Sequence, residues 1–110
     1  MLALSEDVRQ DIGYGLFQAQ SGKYPDTAKT LKGFGGGEVI ELIQRDKAGT
    51  YRAVYTVRHE EVIIVLHVFQ KKSNKGIATP KQEINLIHSR LKMAEEVYKD
   101  WKLNEGKKNE

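Results

Sequence analysis

A chain of 110 residues with 39% apolar content and 18 basic against 15 acidic side chains suits one small domain with a slight positive excess, whose folding would bury roughly 60 to 70% of its unfolded surface. The absence of cysteine excludes a disulfide framework, a thiolate zinc site and cysteine catalysis. The start "MLALSEDVRQ" is too short in its apolar part for a secretory signal, and no run approaches the ~20 apolar residues that cross a bilayer, so a cytosolic protein without membrane contact is expected.

Along the chain, Ser5 suits a helix N-cap, Glu6 and Asp7 suit its positive end, and Val8, Ile12, Leu16 and Ala19 recur at helical spacing. These features predict a helix over about 5–20, closed by Gly22. Pro25 opens the stretch "PDTAKTLK", expected as a short second helix. The two would form a helical hairpin, ended by "GFGGGE".

From Glu38 the pattern changes to strands: "EVIELIQR", the turn "DKAG", "YRAVYTVR", the turn "HEE", and "VIIVLHVFQ". The short connections make them antiparallel. Tyr51, Ala53, Tyr55 and Val57 share one parity, while Arg52, Val54, Thr56 and Arg58 share the other, so the middle strand is expected to offer one face to a polar ligand. The strand 62–69 is apolar on both parities and is expected to be central. Thr79, Pro80 and Gln82 then read as a helix start, and Ile84, Ile87, Leu91, Ala94, Tyr98 and Trp101 mark a long helix. The fold class expected is α+β, a small antiparallel sheet flanked by an N-terminal helical hairpin and a long C-terminal helix, forming a single domain over 1–103 with a frayed polar tail at 104–110.

The glycines of "GFGGGE" precede a strand and lack a following Gly-Lys-Ser/Thr, so they connect rather than cradle a nucleotide phosphate. His59, His67 and His88 have no ligand-like spacing, and no metal site or cofactor is expected. The informative stretch is "HVFQKKSNKGIATPKQ": Lys71, Lys72, Lys75 and Lys81 lie between Glu61 and Glu83 with no acid among them. Unneutralised lysines attract phosphate, and Arg52 and Arg58 on the neighbouring strand would extend that field. A solvated loop would carry the same composition. His67 has the side chain best matched to proton transfer near neutral pH, but it sits among Ile63, Val65 and Phe69, where a core histidine fits equally well.

Taken in order, "DVRQDIGYGL", "AKTLKGFGGGEVIEL", "GTYRAVY", "VLHVFQKKSNKGIATPKQEI" and "RLKMAEEV" give the chain a resemblance to the phage-derived HigB-like toxins of the RelE/ParE superfamily. The resemblance covers about nine tenths of the sequence, and it implies the toxin of a type II toxin–antitoxin pair, a metal-independent endoribonuclease that cuts mRNA on the translating ribosome. It implies a helix-turn-helix antitoxin as partner. Such cleavage turns the ribose 2′-OH on the adjacent phosphate and needs proton transfer and charge stabilisation. Carried over by motif, Arg52 would clamp the phosphate, Lys71 and Lys72 would bind the backbone, and His67 or Tyr55 would assist proton transfer. Arg58, Lys75, Lys81 and Lys32 would add contacts to RNA.

The sequence departs from the family where Glu-Leu-Arg is usual, since Ile43 follows Glu41-Leu42 and Arg45 lies one pleat further on. The family's additional N-terminal strand also has no counterpart, which leaves a sheet edge for a homodimer or an antitoxin to occupy. Two other readings follow from the same residues: a non-catalytic relative that binds an antitoxin or nucleic acid, and a gyrase inhibitor like the ParE branch.

Overall fold

The computed structural model describes residues 5–31, 33–34, 38–47, 49–59, 62–71 and 80–108, the side chains at 71 and 105–108 excepted. The chain divides into two compact units, Met1–Ala78 and Thr79–Glu110. The first holds α1 (Glu6–Gln20), β1 (Ala28–Thr30), β2 (Val39–Asp46), β3 (Gly49–Thr56) and β4 (Ile64–Lys71), and the second is α2 (Lys81–Lys108). The strands form one antiparallel sheet in the order β1-β2-β3-β4. The α+β class is as the sequence predicts.

Helix α1 begins where a side chain can take up an unpaired backbone donor: Ser5 Oγ accepts from the Val8 N–H at 3.3 Å, and Glu6 and Asp7 occupy the first turn. It ends at Gly22, whose φ of 87° only glycine adopts freely. There the Lys23 N–H donates to the Gln18 carbonyl and the Gly22 N–H to the Ala19 carbonyl, which closes the last turn in a Schellman motif. Val8, Ile12, Gly15 and Ala19 turn inward. They bury apolar surface against Ile40 and Leu42 of β2 and Tyr51, Ala53 and Tyr55 of β3. Gly15 permits the closest approach, since a Cβ there would lie 2.9 Å from Leu42 Cδ1.

The expected helix after Pro25 is absent. Pro25 to Thr27 form a turn in which the Ala28 N–H donates to the Pro25 carbonyl, and Ala28–Thr30 then pair with β2, Ala28 opposite Leu42 and Thr30 opposite Ile40. Eight residues are too few to hold a helix without packing, whereas the edge of β2 supplies ready backbone partners. The helical hairpin is therefore corrected to one helix and an edge strand.

The expected central strand is corrected too. β3 is internal, and β4 lies at the edge of the sheet among the described residues. The apolar run on both parities of β4 has another cause: Val54 pairs with His67 but Tyr55 with Val65, which leaves Leu66 as an extra residue in a bulge. The bulge reverses parity, so Ile63 and Val68 both pack on the α1-side core despite their odd separation. Every residue from Tyr51 to Thr56 is buried, so β3 is not the half-exposed platform that its alternation predicts.

The β2–β3 hairpin turns through two residues, with Asp46 opposite Gly49 and the Asp46 carboxylate accepting from the Gly49 N–H at 3.2 Å. In the second unit, α2 follows Pro80, whose carbonyl accepts from the Ile84 N–H. Its helix continues through residues 104–108, which composition assigns to a polar tail. Thr79, the expected cap, lies outside the described residues.

Candidate functional site

On the sheet face away from α1, cross-strand register brings Lys29 opposite Glu41, Glu41 opposite Val54, Val54 opposite His67, and Arg52 opposite Phe69. Glu41 and Arg52 sit diagonally on adjacent strands, and Arg52 Nη1 donates to Glu41 Oε1 at 2.8 Å. Their side chains are 1% and 4% exposed respectively. The half-exposed Lys29 ammonium lies 3.6 Å from the same carboxylate oxygen. A carboxylate this deeply buried needs paired cations to remain charged, and Arg52 and Lys29 provide them.

Each residue expected at the site has a definite place or lies outside the described residues. Arg52 is buried against Glu41, so its guanidinium serves the fold before it meets any ligand. His67 is half-buried and stacks on Phe69, the ring centroids 5.1 Å apart and the planes at 18°. It shares the face of Arg52. Tyr55 does not: it belongs to the α1-side core, 1% exposed. Burial, with a further contribution from Tyr24, pushes its phenol up to about 12, so it stays protonated at neutral pH.

Arg58 Nε donates to Glu38 Oε2 at 2.7 Å, and the Arg58 N–H is held by Thr56 Oγ1, which in turn donates to the Glu38 carbonyl. Lys71 ends β4 opposite Thr50. Its side chain, and the whole of Lys72, Lys75 and Lys32, lie outside the described residues, while Lys81 opens α2 and is exposed. Ile43 pairs in register with Arg52, and Arg45 is exposed opposite Thr50.

Glu41 is legible in the sequence only as half of a strand motif. Its signal was an acid amid the apolar "EVIELI" on the same parity as Val39 and Ile43. A cleft of about 440 Å³ on the α1 side has no signature in residue order: there the end of α1, the exit of β3 and the segment entering β4 meet around Tyr24, Tyr55 and Ile63. The Ile63 N–H donates to Gln20 Oε1 at 2.9 Å, which ties that segment to the end of α1. Among the described residues no group of three or more His, Cys, Asp or Glu side chains is arranged to hold a metal, and no helix is long and apolar enough to cross a membrane.

No curated protein and no solved structure matches the chain significantly. A family model does: that of "Phage derived protein Gp49-like (DUF891)", over residues 1–92. By that match, which takes in α1, the whole sheet and the first part of α2, the chain belongs to the phage-derived, toxin-like Gp49-like family.

Proposed function

We propose that this chain is the toxin of a type II toxin–antitoxin pair and, within the RelE/ParE superfamily, a HigB-like endoribonuclease that cuts mRNA on the translating ribosome. The observation that carries the reading is that His67 and Arg52 share one sheet face, on adjacent strands, with β4 leading directly into the acid-free stretch 71–81. Membership of a phage-derived, toxin-like family supports it. In this reading His67 would exchange a proton with the ribose 2′-OH or the 5′ leaving oxygen. Arg52 would offset the charge of the crowded phosphate once the phosphate competes with Glu41 for its guanidinium, and Lys71 and Lys72 would hold the RNA backbone. Lys75, Lys81, Arg58 and Lys32 would add longer-range attraction.

Inducing the chain should arrest growth, and the pair Lys71→Ala, Lys72→Ala should relieve the arrest. Undiminished arrest by a soluble, folded double variant would contradict the assignment of these lysines. A helix-turn-helix antitoxin is the proposed protein partner, and the β4 edge is the surface on which it, or a second copy of the chain, would add a strand.

A second reading is favoured by a specific observation: Glu41 already occupies Arg52, and Ile43 replaces the usual arginine. A protein so arranged would bind an antitoxin or nucleic acid without cutting. Retained RNA binding with no scission in the presence of ribosomes would select it, and inhibition of supercoiling would select a gyrase inhibitor instead.

A further inference from the structure

Helix α2 carries two apolar stripes. Ile87, Leu91 and Ala94 form a buried one, whereas Leu86, Met93 and Val97 stay 37%, 64% and 60% exposed. Single exposed apolar side chains are ordinary on a protein surface. These three are not scattered, because spacings of seven and four residues put them in one row along the helix. Alternating steps of four and three residues extend the row through Arg90, Asp100 and Asn104.

The row is symmetric about the level of Glu95. Met93 and Val97 stand two residues from it, Arg90 and Asp100 five, and Leu86 and Asn104 nine. A second copy of α2 laid antiparallel, with its two-fold axis at that level, therefore matches the first layer by layer. Met93 meets Val97, Arg90 meets Asp100 and Leu86 meets Asn104, each layer occurring twice. The two central layers are apolar, and the layers beside them join opposite charges. In a parallel pair Arg90 would meet Arg90 and Asp100 would meet Asp100, so charge selects the antiparallel orientation. Arg90 is half-buried, and its five N–H donors let it keep an interaction within its own chain while it takes up Asp100 of the second copy.

We propose that the exposed row on α2 binds a second copy of this chain, forming a two-fold antiparallel helix pair. The row spans about 27 Å at about 1.5 Å per residue. That is short for a coiled coil, and a charged layer costs affinity while it fixes register. The dimer should therefore be weak, with a Kd on the order of 10 μM. It requires nothing of the proposed nuclease function and does not use the β4 edge.

The experiment is sedimentation equilibrium of the full chain from about 1 to 500 μM, repeated with Arg90→Asp, Asp100→Arg and Met93→Lys. The parent should pass from monomer to dimer across that range. Each single variant should weaken association by about tenfold or more, because the reversals oppose like charges and Met93→Lys puts an ammonium among the apolar layers. An equimolar mixture of Arg90→Asp and Asp100→Arg should restore association, since every charged layer of the mixed dimer joins opposite signs. Met93 and Asp100 are exposed, so their variants should fold even where Arg90→Asp does not. A dimer indifferent to Met93→Lys and Asp100→Arg would overturn the proposal and move the contact to another surface, the β4 edge included. A chain still monomeric at about 500 μM would overturn it too, leaving the row to a different protein. So would a mixture of folded variants that associates no better than its components.

Discussion

The Arg52 guanidinium donates to the Glu41 carboxylate at 2.8 Å across two adjacent strands, and both side chains are almost wholly enclosed. Each charge is tolerated in the interior because the other is there. Glu41→Ala should therefore cost about 3 to 5 kcal/mol, because it leaves a buried cation without its partner. Replacing both residues together by apolar side chains of similar size should recover most of that loss. Urea unfolding of the three proteins checks this, and a single variant as stable as the parent would show that the pair is not coupled.

The two proton-transfer candidates lie on opposite faces of the sheet and should separate in assay. His67→Ala should lower RNA cleavage by about 10² to 10⁴-fold in a variant that still folds cooperatively, with some loss of stability from the missing Phe69 contact. Tyr55→Phe should leave the cleavage rate within a few-fold of the parent. Ribosome-programmed cleavage of a defined message measures both, and the reverse ranking would move the chemistry to the α1 side.

Tyr55 also predicts a dependence of stability on pH. Its phenol is raised from 10.0 to about 12 in the folded protein, chiefly by burial. Between those values the unfolded chain releases a proton that the folded chain keeps, so stability is complete below pH 10 and falls as pH rises toward 12. The loss attributable to this group is the part of the slope between pH 10 and 12 that Tyr55→Phe removes. Unfolding curves at pH 9 to 12 for the parent and Tyr55→Phe isolate it from the other tyrosines and lysines, because only the parent should show this component of the slope.

Two glycines on α1 should behave differently. A Cβ at Gly13 meets nothing within 4 Å, so Gly13→Ala should stabilise by about 0.5 to 1 kcal/mol through helix propensity. At Gly15 the Cβ would lie 2.9 Å from Leu42 Cδ1 and 3.2 Å from Cδ2. The crowding should offset the same gain, and the larger Gly15→Val should destabilise by about 1 to 3 kcal/mol. Thermal melts of the three variants would show whether α1 packs as closely on Leu42 as described.

What sequence could and could not reveal follows the range of the interactions involved. Ser5, Gly22, the Asp46 to Gly49 turn and the long helical stripe from Ile84 act through near neighbours, and their elements are legible in residue order. β1 is not, because Ala28–Thr30 become a strand only by pairing with residues 40–42. The edge position of β4 was hidden by the bulge at Leu66, which makes an edge strand look apolar on both parities. The Glu41–Arg52 pair was hidden for a related reason: the two residues meet only in the β2–β3 register, in which Arg52 stands opposite Ile43. The family motifs drew attention to Arg52 as a ligand for RNA, whereas its buried partner within the sheet could be found only from the paired strands.

Cleavage of translated mRNA is the activity proposed for this phage-derived, toxin-like chain. Primer extension on cellular transcripts after brief induction, comparing a message with its start codon to one without it, tests that most directly. New 5′ ends confined to translated regions, and lost in His67→Ala, are the predicted result. Unchanged transcripts in cells that hold soluble, folded protein would contradict the account.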